Sequence, residues 1–254
     1  MAQGILSGKV AIITGAARGL GAAIAAAYAE AGARVAALDL DRAAVEGTIV
    51  ALGLPRERVL ALACDVSDAA EVEAAVAQAI AAFGTPDILV NNAAASTPIG
   101  RIGEIPRAVW DHTLAVNLTG AFLMAQAVLR AMRPRRSGLI INIASQLAHV
   151  AAEGRGAYSV SKAGLLALTR AIALDHAAEG IRCVALSPGA VMTDRLLATY
   201  GSAAAAEAAL LPRHPIGRLA RPEELAQAAL FLASDGAAFM TGTDLVIDGG
   251  YTAR

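Results

Sequence analysis

Short apolar runs alternate with longer helical stretches from one end of this chain to the other. Lys9 to Thr14 (KVAIIT) is a continuous apolar run that stops at a glycine-rich turn, and Gly19 to Ala31 then reads as a helix stopped by Gly32. The same pair of signals recurs. Arg34–Asp39, Val59–Ala63, Ile88–Asn91, Gly138–Ile143, Arg182–Leu186 and Asp244–Ile247 read as strands. Asp41–Leu52, Asp68–Phe83, Pro106–Arg133, Ala157–Ala178 and Pro222–Ala233 read as helices, with Pro106 suited to a first turn. Strands that are apolar throughout, rather than at alternate positions, are covered on both faces. The pattern therefore predicts an α/β fold, a doubly wound parallel sheet of about seven strands with helices on both sides.

No linker, repeat or low-complexity block divides the chain, so residues 1–254 read as a single domain. Residues 191–221, with the alanine-rich run Ser202–Leu211, read as an insertion that binds substrate. Hydrophobic residues make up 56% and charged residues 17%, a balance that excludes intrinsic disorder. A formal charge of -1 argues against a nucleic-acid binder held by phosphate contacts. The two cysteines, Cys64 and Cys183, lie in apolar runs and read as small core residues, not as a disulfide or metal framework. Thr113–Leu129 lacks charge, but Asn117, Thr119 and Gln126 interrupt it and it falls short of the ~20 residues of a membrane span, so it reads as a core helix. The opening MAQGILSGK has no basic segment followed by an apolar one, so a soluble, cytoplasmic protein is expected.

The turn after the first strand reads Thr14-Gly15-Ala16-Ala17-Arg18-Gly19-Leu20-Gly21. Glycines at a strand-to-helix turn let the backbone approach a pyrophosphate at the helix N-terminus, where free N–H groups and the helix dipole favour negative charge. Asp39 closes the second strand, where an acidic side chain accepts hydrogen bonds from ribose hydroxyls. Together these point to a Rossmann-type dinucleotide site.

With these residues the chain resembles the short-chain dehydrogenase/reductase family, in its branch of about 250 residues, over essentially its whole length. Asp65-Val66 resembles the pair that holds adenine. Asn91-Asn92-Ala93-Ala94 resembles the NNAG segment, with Ala94 where glycine is usual, a methyl group added near the cofactor. Asn117 resembles the asparagine of the long central helix. Ser145 lies 13 residues before Tyr158, and Tyr158-Ser159-Val160-Ser161-Lys162 fits the YxxxK signature. Pro188-Gly189 and Thr193 match the segment near the nicotinamide, and Asp248-Gly249-Gly250 the usual ending. The resemblance implies an oxidoreductase that interconverts a secondary alcohol and a ketone. Its catalytic residues would be Asn117, Ser145, Tyr158 and Lys162. Its cofactor would be NAD in preference to NADP, held by Gly15, Arg18, Gly19, Leu20, Gly21, Asp39, Asp65, Val66, Asn92, Ala93, Tyr158, Lys162, Pro188, Gly189, Val191 and Thr193. It also implies a homotetramer in which the helices over 106–133 and 157–178, carrying Phe122, Met124, Leu165 and Leu168, pair across a two-fold axis, with the segment around Tyr251 at a second interface.

The residue types carry the same chemistry. Tyr and Lys four apart share one helix face. Tyrosine's ordinary pKa of ~10 is too high for a base near neutrality, and an adjacent ammonium lowers it. Tyr158 would then exchange the alcohol proton, with Ser145 steadying the substrate oxygen. In this scheme Lys162 also binds nicotinamide ribose, and Asn117 holds a water that links Lys162 to solvent. No metal is required, and His112, His149, His176 and His214 lack ligand spacing.

Around the reacting centre Gln146, His149 and Arg155 are the expected substrate contacts, with Arg213 and His214 on the opposite wall. A loop rich in donors and without an aromatic cluster suits a small polar substrate such as a sugar, polyol or hydroxy acid. The rival readings are a reductase of acyl-carrier-bound 3-oxoacyl thioesters using NADPH, to which the basic cluster Arg130, Arg133, Arg135 and Arg136 would offer a docking surface, and a non-catalytic nucleotide sensor. An extended epimerase type is a third, but it has a longer chain after the sheet.

Overall fold

The computed structural model describes residues 4–95 and 97–253. The first three residues of the opening MAQGILSGK lie outside them. Seven strands form one sheet in the order β3-β2-β1-β4-β5-β6-β7, and every neighbouring pair is parallel. The strands are β1 (Val10–Thr14), β2 (Arg34–Asp39), β3 (Val59–Ala63), β4 (Ile88–Asn91), β5 (Gly138–Ile143), β6 (Ile181–Pro188) and β7 (Asp244–Ile247). This is the expected doubly wound, Rossmann-type sheet. Its strand order reverses between β1 and β4, and the C-terminal ends of those two strands define the crevice where such sheets bind ligands.

The two faces of β1 show why its residues are apolar throughout. Ala11 and Ile13 join one core with Ile24 and Tyr28 of α1 (Gly19–Glu30) and Ala229 and Leu232 of α9 (Pro222–Ala233). Ile12 joins the other with Val72 and Val76 of α3 (Ala69–Phe83) and Met124, Val128 and Met132 of α5 (Gly120–Arg135). The alanines of α1 keep its backbone close to its neighbours, and the Tyr28 hydroxyl donates to the Ala229 carbonyl at 2.8 Å, which ties α1 to α9. The first core also takes Val45 and Ile49 of α2 (Arg42–Ala51), capped by Asp41, and the second takes Ile172 and Ala173 of α6 (Gly156–His176). Cys64 and Cys183 are buried, as expected, and burial pushes both thiols up to about 12, so neither is a nucleophile near neutral pH.

The helix expected over Pro106–Arg133 is longer and less regular. It comprises α4 (Arg107–Leu114), a π-helical segment Ala115–Thr119 and α5, a continuous helix of 29 residues in all. By length and composition it could cross a membrane, yet here Met124, Val128 and Met132 are buried on the sheet. The widened turn falls on Asn117. Periodicity could not reveal it, because one extra residue per turn leaves the apolar faces on either side intact. Between β6 and α9 the chain forms two short helices, α7 (Asp194–Tyr200) and α8 (Ala203–Leu210). The second falls on the alanine-rich run Ser202–Leu211, and the first has no such mark in the sequence.

Of the apolar residues named on the two long helices, Met124 and Leu165 are fully buried within this chain and Phe122 is exposed, so these helices are apolar on more than one face. The basic cluster offered as a docking surface is corrected. Arg130, Arg133 and Arg135 pair with Glu73, Glu179 and Asp87, and Arg136 donates to the Ala178 carbonyl, so the basic cluster is largely neutralised.

Candidate active site

The turn after β1 is shaped by its glycines and clamped on both sides. Gly15 and Gly19 adopt left-handed backbone (φ +66° and +57°). A Cβ on Gly21 would lie 2.1 Å from the Gly15 carbonyl oxygen, so only glycine closes this turn. Thr14 Oγ1 accepts from the backbone N–H groups of Asn92 and Ala93, each at 3.0 Å. Asn92 Nδ2 donates to the carbonyls of Thr14 and Gly15. The ends of β1 and β4 are thus stitched together at the reversal point. Asp39 Oδ2 accepts from the Ala17 N–H at 3.0 Å, and Thr48 Oγ1 donates to the Ala17 carbonyl at 2.5 Å. Arg18 is exposed and its side chain does not cap α1, so the first N–H groups of that helix, from Gly19 and Leu20 onward, have no capping side chain.

These features fit a dinucleotide. The glycines leave a space that side chains would fill, the uncapped N-terminus of α1 faces it, and Asp39 is held at its rim. Val66 is buried against Gly120, where a Cβ would lie 2.8 Å from Val66 Cγ2. Asp65 Oδ1 accepts from the Ser67 N–H and hydroxyl. On the other side, β6 ends at Pro188, and Gly189 passes so close to Asp248 that a Cβ would meet its Cα at 2.8 Å. Val191 bridges to Ala220. Thr193 caps α7, and its methyl group would lie 3.3 Å from a Cβ placed on Gly19, so α7 starts against the glycine turn.

Tyr158, Lys162 and Ser145 converge at the C-terminal ends of β5 and β6. Lys162 is buried, and its Nζ donates to the Ile143 carbonyl at 2.7 Å and sits 5.7 Å from the centre of the Tyr158 ring. Burial pushes the Tyr158 phenol up. The charges of Lys162 and Arg195, with hydrogen bonds from Arg195 and Ser145, outweigh it and bring the phenol down to about 8. Burial holds the Lys162 ammonium below its usual range, the Tyr158 charge opposes this, and the Arg195 charge adds to it. Ser145 Oγ accepts from the Leu147 N–H at 3.1 Å, which leaves its own proton for the phenol or a substrate oxygen. Asn117 joins the site through the widened turn. Its Oδ1 accepts from the Ala95 N–H at 2.8 Å, and its Nδ2 donates to Ser161 Oγ, which in turn donates to the Tyr158 carbonyl.

The expected substrate contacts fare unevenly. Gln146 is buried, and its Oε1 has no hydrogen-bond partner among the described residues. His149 lies 2.5 Å from Asp244 Oδ2, an oxygen that also accepts from Ser187, so its ring is tied to β7 rather than turned to Tyr158. Arg155 reaches the Thr97 carbonyl at 3.4 Å and pairs with no carboxylate among the described residues. His214 is buried with both ring nitrogens engaged, Nδ1 to the Leu210 carbonyl and Nε2 to the Ala190 N–H, and it packs on Tyr251, so it is a structural bolt and not a substrate ligand. Arg195 on α7 was not anticipated. Its Nη2 is 3.5 Å from the Tyr158 hydroxyl and its guanidinium lies 5.7 Å from the ring centre. It stands 37 residues after Tyr158 in a segment with no periodic signal, so only the folded chain brings them together.

A family model described as enoyl-(acyl carrier protein) reductase matches residues 15–252. A D-threitol dehydrogenase of Mycolicibacterium smegmatis is 46% identical over 98% of this chain and 95% of its own length. A cis-4-hydroxycyclohexanecarboxylate dehydrogenase of Sinomonas cyclohexanicum is 43% identical over 96% of this chain and 97% of its own. Among solved structures, a short-chain type dehydrogenase/reductase from Mycobacterium marinum has a TM-score of 0.91 at 37% identity, covering 98% of this chain and 97% of its own. A 3-ketoacyl-(acyl-carrier-protein) reductase from Brucella melitensis complexed with NADH has a TM-score of 0.89 at 35% identity, covering 97% and 99%. With the glycine turn at the sheet's reversal point and the serine, tyrosine and lysine beside it, these likenesses establish that the chain belongs to the short-chain dehydrogenase/reductase family, as an oxidoreductase that interconverts a secondary alcohol and a ketone with a nicotinamide cofactor.

Proposed function

We propose that the protein is an NAD-dependent dehydrogenase of a small polar secondary alcohol: a polyol, sugar or hydroxy acid. The observation that carries this reading is the Tyr158 phenol, lowered to about 8 between two cations and hydrogen-bonded by Ser145. In oxidation Tyr158 takes the alcohol proton at Oη, and in reduction it returns the proton to the carbonyl oxygen. Ser145 donates to the same substrate oxygen and steadies the charge that develops there. Lys162 keeps Tyr158 ionisable and presents its ammonium to the nicotinamide ribose, while Asn117 organises the turn that links Ala95 to α6. The bound nicotinamide supplies the hydride acceptor or donor. Its dinucleotide is held by the glycine turn with Arg18, Gly19, Leu20 and Gly21, by Asp39 at the ribose, by Asp65 and Val66 at the adenine, and by Asn92, Ala93, Pro188, Gly189, Val191 and Thr193 along its length. The chain acts as a single domain, with residues 191–221 as a substrate-binding insertion.

The name of the D-threitol relative supports a polyol, and that of the hydroxycyclohexanecarboxylate relative supports an acid. The acyl-carrier reading gains little, because the basic cluster that would dock a carrier is paired with carboxylates. A panel of sugars, polyols, hydroxy acids and simple secondary alcohols, assayed with NAD by absorbance of the reduced cofactor, tests the reading. Turnover of the polar members supports it. Activity confined to 3-oxoacyl thioesters with NADPH replaces it with the rival.

The pH dependence follows from Tyr158. Its pKa is lowered, so the base form needed for oxidation is lost as pH falls. The oxidation kcat/KM should rise with pH and level off above about 8, and the reduction rate should fall over the same interval. A bound oxidised nicotinamide, being cationic, moves the oxidation limb to lower pH. A flat oxidation profile from pH 6 to 10 contradicts the assignment.

The protein is further proposed to be soluble, cytoplasmic and a homotetramer with two-fold symmetry. Phe122 on α5 and Val160 on α6 leave apolar side chains in water, as do Phe231 on α9, Phe239 and Val246 near β7. These are two separate sets on different elements, as two kinds of two-fold interface require. Light scattering at micromolar concentration should give four times the chain mass, and a monomer mass refutes the assembly.

A further inference from the structure

We propose that Arg195 is a substrate-recognition residue that binds an oxygen on the carbon next to the reacting carbinol, so that the enzyme selects substrates with vicinal oxygens. This deepens the secondary-alcohol reading above and rests on it. Arg195 Nη2 lies 3.5 Å from Tyr158 Oη. The reacting oxygen must come within a hydrogen-bond length of that same Oη, ~2.7 Å, which leaves the guanidinium nitrogen no more than about 6 Å from it. A substituent recognised there is near the reacting carbon and not at a distant end of the substrate.

The chemistry of the group narrows this further. Arg42, Arg107, Arg130, Arg133, Arg135 and Arg218 each pair with a carboxylate, whereas Arg195 has no carboxylate partner among the described residues. Among the described residues its side chain contacts Tyr158, through one nitrogen and through the face of the ring, and a guanidinium carries five N–H donors in a planar fork. The remaining donors stand at the mouth of the site beside a second cation, Lys162. A substrate with an apolar group at this point would strip water from those donors and leave them unpaired. One with a hydroxyl or carboxylate oxygen there accepts from them. Lys162 already lowers the phenol, so proton transfer alone does not call for a second cation. The helix is also well placed for the task, because Thr193 at its start abuts the glycine turn and Arg195, two residues on, abuts Tyr158. A vicinal diol and a 2-hydroxy acid share the oxygen that Arg195 would bind, and differ in its charge.

The test compares wild type, Arg195→Ala and Arg195→Lys on butan-2-ol, butane-2,3-diol and 2-hydroxybutanoate, each at the pH plateau of the variant concerned. Wild type should prefer one oxygenated substrate over butan-2-ol. Arg195→Ala should lose about 10- to 100-fold more in kcat/KM on that substrate than on butan-2-ol, chiefly through KM, with the upward displacement of the pH limb common to all three substrates. Arg195→Lys should recover part of the loss on the hydroxy acid, where charge suffices, and less on the diol, where the fork matters. The preferred substrate decides between a neutral and an anionic oxygen. A loss of equal size on all three, with the pH limb displaced upward, would show that Arg195 acts only on Tyr158 and overturns the proposal, as would no loss at all. Turnover of butan-2-ol without preference for diol or hydroxy acid overturns the proposal alone, whereas no turnover of any of the three by wild type overturns the secondary-alcohol reading on which it rests.

Discussion

Tyr158→Phe should lower turnover by at least ~100-fold while leaving the fold and dinucleotide binding intact. The substitution removes one oxygen. The ring, its packing and its place on α6 are unchanged, and the Ser161 hydroxyl still donates to the backbone carbonyl of residue 158. What disappears is the only phenol among the described residues that is brought to about 8. The contrast with Tyr28 shows how environment divides one residue type into two roles. Tyr28 is buried beside a backbone carbonyl with no cation to offset desolvation, so its phenol is pushed far above the ordinary range and serves only as a hydrogen-bond donor. Steady-state kinetics with fluorescence titration of the reduced cofactor checks the prediction. Retention of more than about a tenth of the wild-type turnover removes Tyr158 from the proton path.

NAD should be preferred over NADP by roughly 30- to 150-fold in kcat/KM. A 2′-phosphate placed ~4 Å from the Asp39 carboxylate meets a repulsion of about 4 kcal/mol per unit charge at an effective dielectric of ~20. Solvent reduces this to about 2–3 kcal/mol, which corresponds to the stated ratio. The carboxylate cannot easily turn away, because its two oxygens accept from the Ala17 and Leu40 N–H groups. Arg18 opposes the effect, since a guanidinium attracts phosphate, but its side chain is exposed and free to point into solvent. Asp39→Ser should narrow the ratio to near unity. It should also weaken NAD somewhat, as the clamp on Ala17 is lost. A wild-type preference for NADP reverses the cofactor assignment.

The sequence carried the parts of this molecule that are local. The glycine turn was legible because Gly15, Gly19 and Gly21 serve a backbone conformation and a close approach within seven residues. Tyr158 and Lys162 were legible because an i, i+4 pair needs only a helix to bring it together. The sheet was legible because strands buried on both faces leave continuous apolar runs. What stayed hidden depends on contacts across long stretches of chain. His149 looked like a substrate ligand from its place four residues after Ser145, but the partner that claims its ring is Asp244, 95 residues away. His214 was expected on a wall of the site, yet its two nitrogens are taken by Leu210 and Ala190. Which of Phe122, Met124, Leu165 and Leu168 would meet the sheet was not legible, because α5 and α6 are apolar on more than one side and periodicity does not say which side is covered; Met124 and Leu165 are the fully buried ones. Arg195 gave no signal, since nothing local marks a short helix whose arginine ends at a tyrosine hydroxyl.

The central claim is that this site moves a hydride between a carbinol carbon and a nicotinamide while Tyr158 handles the proton. Isotope transfer tests it most directly. The best substrate of the panel, carrying deuterium on its carbinol carbon, is incubated with NAD and the enzyme, and the reduced cofactor is recovered and weighed by mass spectrometry. The account predicts one deuterium in each reduced nicotinamide, and none above background when Tyr158→Phe replaces the wild type over the same interval. Reduced cofactor without deuterium, or deuterium transfer by the variant at the wild-type rate, would contradict it.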